Sequence, residues 1–194
     1  MNFDKIINKE IEGEQIQYGI LFGNEKIVFI KAGADKGISG HGNKYLKMAH
    51  RVHERMGATV ICASNPEAEH KIMDAKAIRW LAAKLGFEKF ELYFVGTSDG
   101  GYQNLVLASK FPETVKILGI NSSFIDLPGL VARIKRLPEI EKIFAYGTRD
   151  EDYDEVVPVL KKLDLDTLEL IEVEGADHDF TGRSEECVAL VDLL

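Results

Sequence analysis

The sequence predicts an α/β fold, a mostly parallel sheet of about eight strands flanked by helices on both faces. Three observations predict it. From residue 26 onward, short apolar runs alternate with longer stretches of helical periodicity, the pattern of repeated strand–helix units. Several of those runs, KIVFIKA, ATVICAS and FELYFVG among them, are nearly continuous in apolar residues, as befits parallel strands covered on both faces. And 194 residues, 45% of them hydrophobic, make one domain with a real core.

The elements follow in order. INKEIEG (7–13) and IQYGILF (16–22) alternate apolar with polar residues around a Gly13-Glu14 turn, so they read as antiparallel strands with one wet face. Gly23-Asn24 separates the second from the strand KIVFIKA (26–32). A glycine-rich loop over 33–42 leads into a helix over 43–56, stopped by Gly57. ATVICAS (58–64) is a buried strand, and Pro66 opens a helix over 67–85 that Gly86 ends. FELYFVG (90–96) is a strand, 99–111 a helix halted before Pro112, and VKILGIN (115–121) a strand. A short helix over 127–137 precedes the strand KIFAYGT (142–148). The helix over 150–163 carries Pro158 and a kink there. TLELIEV (167–173) is the last strand, and 183–194 the closing helix. No repeat, linker or shift of composition divides the chain, so residues 1–194 are expected to form a single domain.

Composition narrows the partners. Against 32 Asp+Glu stand 24 Lys+Arg, a net charge of -8, which argues against the broad positive surface that nucleic acid or anionic lipid requires. No uncharged apolar run approaches the roughly 20 residues of a membrane span, and the first residues mix acids and bases without the apolar stretch of a secretory signal. Cys62 lies in an apolar strand and Cys187 in a helical pattern. Both read as buried free thiols of a cytoplasmic protein.

Parallel sheets place their chemistry in the loops at the carboxyl ends of the strands. After FELYFV comes Gly96-Thr97-Ser98-Asp99-Gly100-Gly101, a G-x-S-x-G turn between strand and helix. The glycines have a steric reason: an abrupt strand-to-helix turn brings backbones together and strains its central residue. That turn lifts the Ser98 hydroxyl out of the sheet. It leaves the Asp99 N–H in the first helical turn, free to donate to an oxyanion. A nucleophilic serine needs a base, and the base an orienting carboxylate. Asp150 follows one strand end in Gly147-Thr148-Arg149-Asp150, and His178 follows the next in Gly175-Ala176-Asp177-His178. Asp152 is the alternative acid, because Glu151, Asp152 and Asp154 crowd the same helix start. Asp177 and Asp179 flank the histidine but are badly placed to reach its Nδ1.

On these motifs the chain resembles the α/β-hydrolase superfamily: the G-x-S-x-G-G elbow, the G-x-x-D acid loop, the G-x-x-H histidine loop, and the order Ser98, Asp150, His178. The resemblance implies a serine nucleophile at Ser98, an acid at Asp150 and a base at His178. Where the family often carries His-Gly after its third strand, this chain has Ala32-Gly33. The second oxyanion donor implied is then the Ala34 N–H. The activity implied is hydrolysis of a small or short-acyl ester or thioester, a small-molecule substrate, with no metal and no organic cofactor. The alternative is a binding or scaffold protein of the same fold with a silent triad.

Other features read as structural. The loop over 37–44 half-resembles a phosphate-binding loop, but Asn43 intervenes before Lys44 and Tyr45 replaces the hydroxyl residue. It is expected to be a rim loop with His41 facing the pocket. His50, His53 and Glu54 lack the spacing of a zinc site and read as a solvated helix face. Trp80 is expected to pack in the core with Ile78, Leu81 and Leu85. Arg133, Lys135 and Arg136 read as a solvated cluster. Between Asn121 and Lys142 only about twenty residues remain for a cap. A helix of some eleven residues spans ~16 Å, so Leu127, Leu130, Val131 and Ile134 are expected to pack down on the body or wall one edge of an open, shallow site.

Overall fold

The structure, a computed structural model, describes residues 1–11, 14–34, 36–66, 71–123 and 127–194. Its strands are β1 (Lys5–Ile11), β2 (Glu14–Leu21), β3 (Asn24–Lys31), β4 (Ala58–Ala63), β5 (Glu91–Thr97), β6 (Thr114–Ile120), β7 (Glu141–Gly147) and β8 (Leu168–Val173). Its helices are α1 (Lys44–Met56), α2 (Lys71–Leu85), α3 (Asp99–Ala108), α4 (Leu127–Lys135), α5 (Tyr153–Leu160) and α6 (Ser184–Ala189). The Gly13 turn and the expected helix start at 67–70 lie outside the described residues. The expected closing helix is shorter than its sequence pattern, since α6 gives way to a 3-10 turn over Leu190–Leu193.

The sheet runs β1-β2-β4-β3-β5-β6-β7-β8. β2 is antiparallel to both β1 and β4, while β4, β3, β5, β6, β7 and β8 pair in parallel. The carboxyl ends of the parallel strands therefore share one edge, with β5 near the middle. Because side chains alternate along a strand, the sheet feeds two cores. Ile27 and Phe29 of β3 and Leu92 and Phe94 of β5 face helices α2 to α5, whereas Val28, Ile30, Tyr93 and Val95 face α1 and α6. Each fully buried side chain of this kind stabilises by roughly 1.5–3 kcal/mol. The result is three layers, helix–sheet–helix.

One feature of the core carries no signal in the sequence. Lys31, the last residue of β3, is buried; its Nζ lies 2.8 Å from Asp74 Oδ2 on α2 and donates to the Ser64 carbonyl at 2.9 Å. Tyr18 donates to the other Asp74 oxygen at 2.9 Å. This satisfied network fixes the end of β3, where the chain turns toward the site. Trp80 corrects an expectation. Ile78 and Leu81 are fully buried, but Trp80 is 45% exposed, because at 100° per residue it points away from the stripe that they share. Lys5 Nζ sits 5.7 Å from its ring centroid. Arg133 is likewise not merely solvated, since its guanidinium lies over the Tyr102 ring and donates to the Tyr102 hydroxyl.

α4 packs down as expected, Leu130 and Ile134 being fully buried. Cys62 and Cys187 are buried free thiols. Among the described residues, no helix is long and apolar enough to cross a membrane.

Candidate active site

Among the described residues, the carboxyl ends of β3, β5, β6 and β8 and the loops after them line one cleft. β5 turns into α3 through Ser98, whose φ of 52° and ψ of -130° are of the kind that cost about 1–3 kcal/mol and persist where surroundings enforce them. The surroundings do enforce them. A Cβ at Gly96 would stand 2.5 Å from the Gly100 carbonyl, and one at Gly100 would stand 2.4 Å from the Ala32 oxygen. One at Gly101 would stand 2.0 Å from Ser122 Oγ. Only glycine fits these positions, as the steric argument from sequence requires.

Ser98 Oγ lies 3.0 Å from His178 Nε2, and His178 Nδ1 lies 2.6 Å from Asp150 Oδ2. The structure thus brings together the three residues, from loops after β5, β7 and β8. Asp150 rather than Asp152 meets the histidine. The Asp152 N–H instead donates to the other Asp150 oxygen at 2.8 Å. Helix α5 begins at Tyr153, later than the sequence pattern suggests, which leaves Asp150 in the loop where it can turn inward. The Asp150 carboxylate holds the His178 pKa above its ordinary value, chiefly through their hydrogen bond and against the lowering effect of burial. Asp152 is raised by burial and then by the Asp150 charge. The flanking Asp177 is turned away, accepting from the Thr181 N–H at 2.8 Å.

The loop after β3 runs beside the serine. A Cβ at Gly33 would stand 3.3 Å from Ser98 Cβ. The Gly33 N–H is occupied, donating to the Tyr45 hydroxyl at 3.1 Å, and that hydroxyl is 2.6 Å from Thr97 Oγ1. The next residue, Ala34, lines the cavity with Ser98 and His178. Asp99 is the first residue of α3, so its N–H belongs to the turn without intrahelical acceptors. Its carboxylate is held by Asn65 at 2.9 Å and by Gln103. The cavity around Ser98 has a volume of about 210 Å³ and is also lined by Tyr45, Thr97, Ile120, Phe180 and Cys187.

Sequence reasoning missed three residues. Ser123 places its Oγ 3.0 Å from Ser98 Oγ, so the nucleophile can accept from one side while donating to His178. Tyr45 anchors the β3 loop. Asn121, at φ 42°, donates through Nδ2 to the carbonyls of Asp177 and His178 at 3.0 Å each and accepts from the Gly147 N–H at 2.8 Å. One signal was available: asparagine tolerates the left-handed region and ends the strand after the elbow. His41 does line a cavity adjoining the site. His50 and His53 instead hydrogen-bond to the carbonyls of Asn2 and Ala58. Among the described residues, no group of three or more potential metal ligands stands together.

The elbow, the sheet and the loop order define the α/β-hydrolase fold, and known structures agree. No protein-family model matches the chain, and no curated protein matches it in sequence. Among solved structures it is similar to Est1E from Butyrivibrio proteoclasticus, with a TM-score of 0.72 at 12% identity over 97% of this chain and 96% of that one. It is similar to an α/β serine hydrolase homologue from Coxiella burnetii (0.72, 14%, over 98% and 97%). It also resembles a dienelactone hydrolase from Anabaena variabilis (0.70, 15%, over 97% and 94%). At these identities the likeness speaks for the fold.

Proposed function

We propose that the protein is a serine hydrolase that cleaves a small or short-acyl ester or thioester through an acyl-enzyme. The observation that carries this reading is the continuous relay from Ser98 Oγ through His178 to Asp150, at 3.0 and 2.6 Å. Asp150 keeps Nδ1 protonated, so Nε2 is free to take the Ser98 proton as Oγ attacks the carbonyl. The developing oxyanion is stabilised by the N–H groups of Asp99 and Ala34, fixed in place before the reaction. His178 then gives its proton to the leaving alcohol or thiol. It next activates a water against the acyl-enzyme, which returns Ser98 and releases the acid. These steps need no metal or organic cofactor.

The compact cavity, bounded by Phe180 and Ile120, supports small acyl groups. The names of two of the similar structures, a serine hydrolase homologue and a dienelactone hydrolase, support hydrolysis in general. The acidic net charge supports a small molecule rather than nucleic acid or membrane as partner, and the two free thiols support a cytoplasmic location.

A fluorophosphonate probe with intact-mass and peptide analysis tests the reading. A stoichiometric adduct on Ser98, absent from Ser98→Ala, supports the enzyme. No adduct on folded protein refutes it and leaves a binding protein with a silent relay.

A further inference from the structure

The lining of the cleft beside the relay carries several cationic side chains, although the protein as a whole has a net charge of -8. Lys44, the first residue of α1, lines both the cavity that holds Ser98 and His178 and an adjoining one of about 480 Å³. It is only 9% exposed. Among the described residues, the lysines found in ion pairs are Lys26, Lys31, Lys47, Lys116 and Lys161, and Lys44 is not one of them. Its recorded contact is the Tyr45 ring, 5.4 Å from Nζ to the centroid. A side chain nine-tenths buried, whose charge meets no carboxylate among the described residues, is unfavourable. It also stands at the end of a helix where the dipole favours anions, and α1 has no acidic residue in its first turn. Both features are liabilities for the free protein and assets for holding an anion.

The surroundings agree. Lys36 lines both cavities, and His41 and Lys47 line the larger one. Lys47 is engaged by Glu185 at 2.7 Å. Among the described residues lining these cavities, the one carboxylate is Asp179, and it is exposed. The Cys187 thiol, on the same cavity as Ser98, is pushed up to about 11 by burial, while the Lys44 charge acts in the opposite direction.

We infer that this lining is an anion subsite: the substrate carries a carboxylate or phosphate group that seats on Lys44, with Lys36 and His41 around it, while its ester carbonyl lies at Ser98. The inference rests on the hydrolase reading for the ester half alone. Binding is therefore measured first, on Ser98→Ala protein, by titration calorimetry at low salt. The probes are 4-acetoxybenzoate, 4-acetoxyphenyl phosphate and the neutral methyl 4-acetoxybenzoate. At least one anion should bind about tenfold or more tightly than the neutral ester, and which one does so separates carboxylate from phosphate. The advantage should shrink in 1 M NaCl, where screening acts over roughly 3 Å. It should vanish when Lys44→Met is added and largely return with Lys44→Arg. Lys36→Met, away from the helix, should weaken it severalfold and serves if the Lys44 variant does not fold.

Anions that bind no tighter than the neutral ester, or an advantage that survives Lys44→Met, overturn the subsite. Turnover by the unsubstituted protein separates the two readings. Cleavage of all three esters at equal kcat/KM keeps the hydrolase and removes the subsite. Lys44-dependent anion binding with no ester cleaved keeps the subsite and removes the hydrolase.

Discussion

Asn121 joins three parts of the site, and removing its side chain should uncouple them. The residue is 2% exposed. Its amide makes two donations to the histidine loop at 3.0 Å each and accepts from the acid loop at 2.8 Å. In Asn121→Gly the backbone keeps its positive φ without strain, so only the side-chain bonds are lost. Each is worth about 1 kcal/mol net, and the Gly147 N–H is left buried without an acceptor. The expected destabilisation is about 3 kcal/mol. The histidine loop should also drift, and a displacement of about 1 Å costs on the order of 10² in rate. Asn121→Asp preserves shape and the Gly147 bond but sets a carboxylate against two carbonyl oxygens. Burial and that repulsion raise its pKa, so the Asp variant should regain stability as pH falls, which the Gly variant should not. Urea unfolding at several pH values reads the stability, and p-nitrophenyl acetate hydrolysis reads kcat and KM separately. A positioning role predicts a fall in kcat with little change in KM. An Asn121→Gly protein within about 0.5 kcal/mol of the original and equally active would refute the reasoning.

Ser98→Ala and His178→Ala should each remove nearly all turnover, with the double variant hardly worse, because members of a relay act as a unit. Asp150→Asn should cost roughly 10⁴ in kcat by presenting the wrong tautomer, whereas Asp152→Asn, which offers no bond to the ring, should cost little; the reverse ranking would overturn the choice of acid. The base works when neutral, and Asp150 raises the His178 pKa, so kcat/KM should rise with pH along a limb centred above the ordinary histidine value of about 6.5. The same shift stabilises the fold fully below that ordinary value, and the contribution is lost as pH rises through the raised folded value; the Tm difference between the protein and His178→Gln should therefore shrink from acid to alkaline pH. Finally, with α4 packed down through Leu130 and Ile134 and a cavity of about 210 Å³ at Ser98, kcat/KM across p-nitrophenyl esters from C2 to C16 should favour the short chains without activation by micelles. A preference for C12 or longer would mean that α4 moves as a lid.

Much of this protein is written locally. Periodicity alone identified strands and helices, because a strand buried on both faces needs an unbroken apolar run, as in the residues that became β4 and β5. The elbow was legible because its glycine spacing is itself a motif, and the clash of a Cβ at Gly96 with Gly100 is local, although Gly100 and Gly101 are held to glycine by Ala32 and Ser122 from other parts of the chain. The order of serine, acid and histidine after successive strands was readable as well. What the chain alone left open was every choice that depends on direction across space. Asp150 and Asp152 differ by two positions, and only the late start of α5 and the lacing of the two loops turn the first toward His178. Trp80 shares a helix with core residues, and only its angular position exposes it. Ser123, Tyr45 and Asn121 carry no motif, since their roles consist of hydrogen bonds to residues 25, 12 and up to 57 positions away. Lys44 is an ordinary helix-start lysine in sequence. It becomes a largely buried side chain on the serine's cavity only because the sheet brings the end of β3, the start of α1 and the histidine loop to one edge.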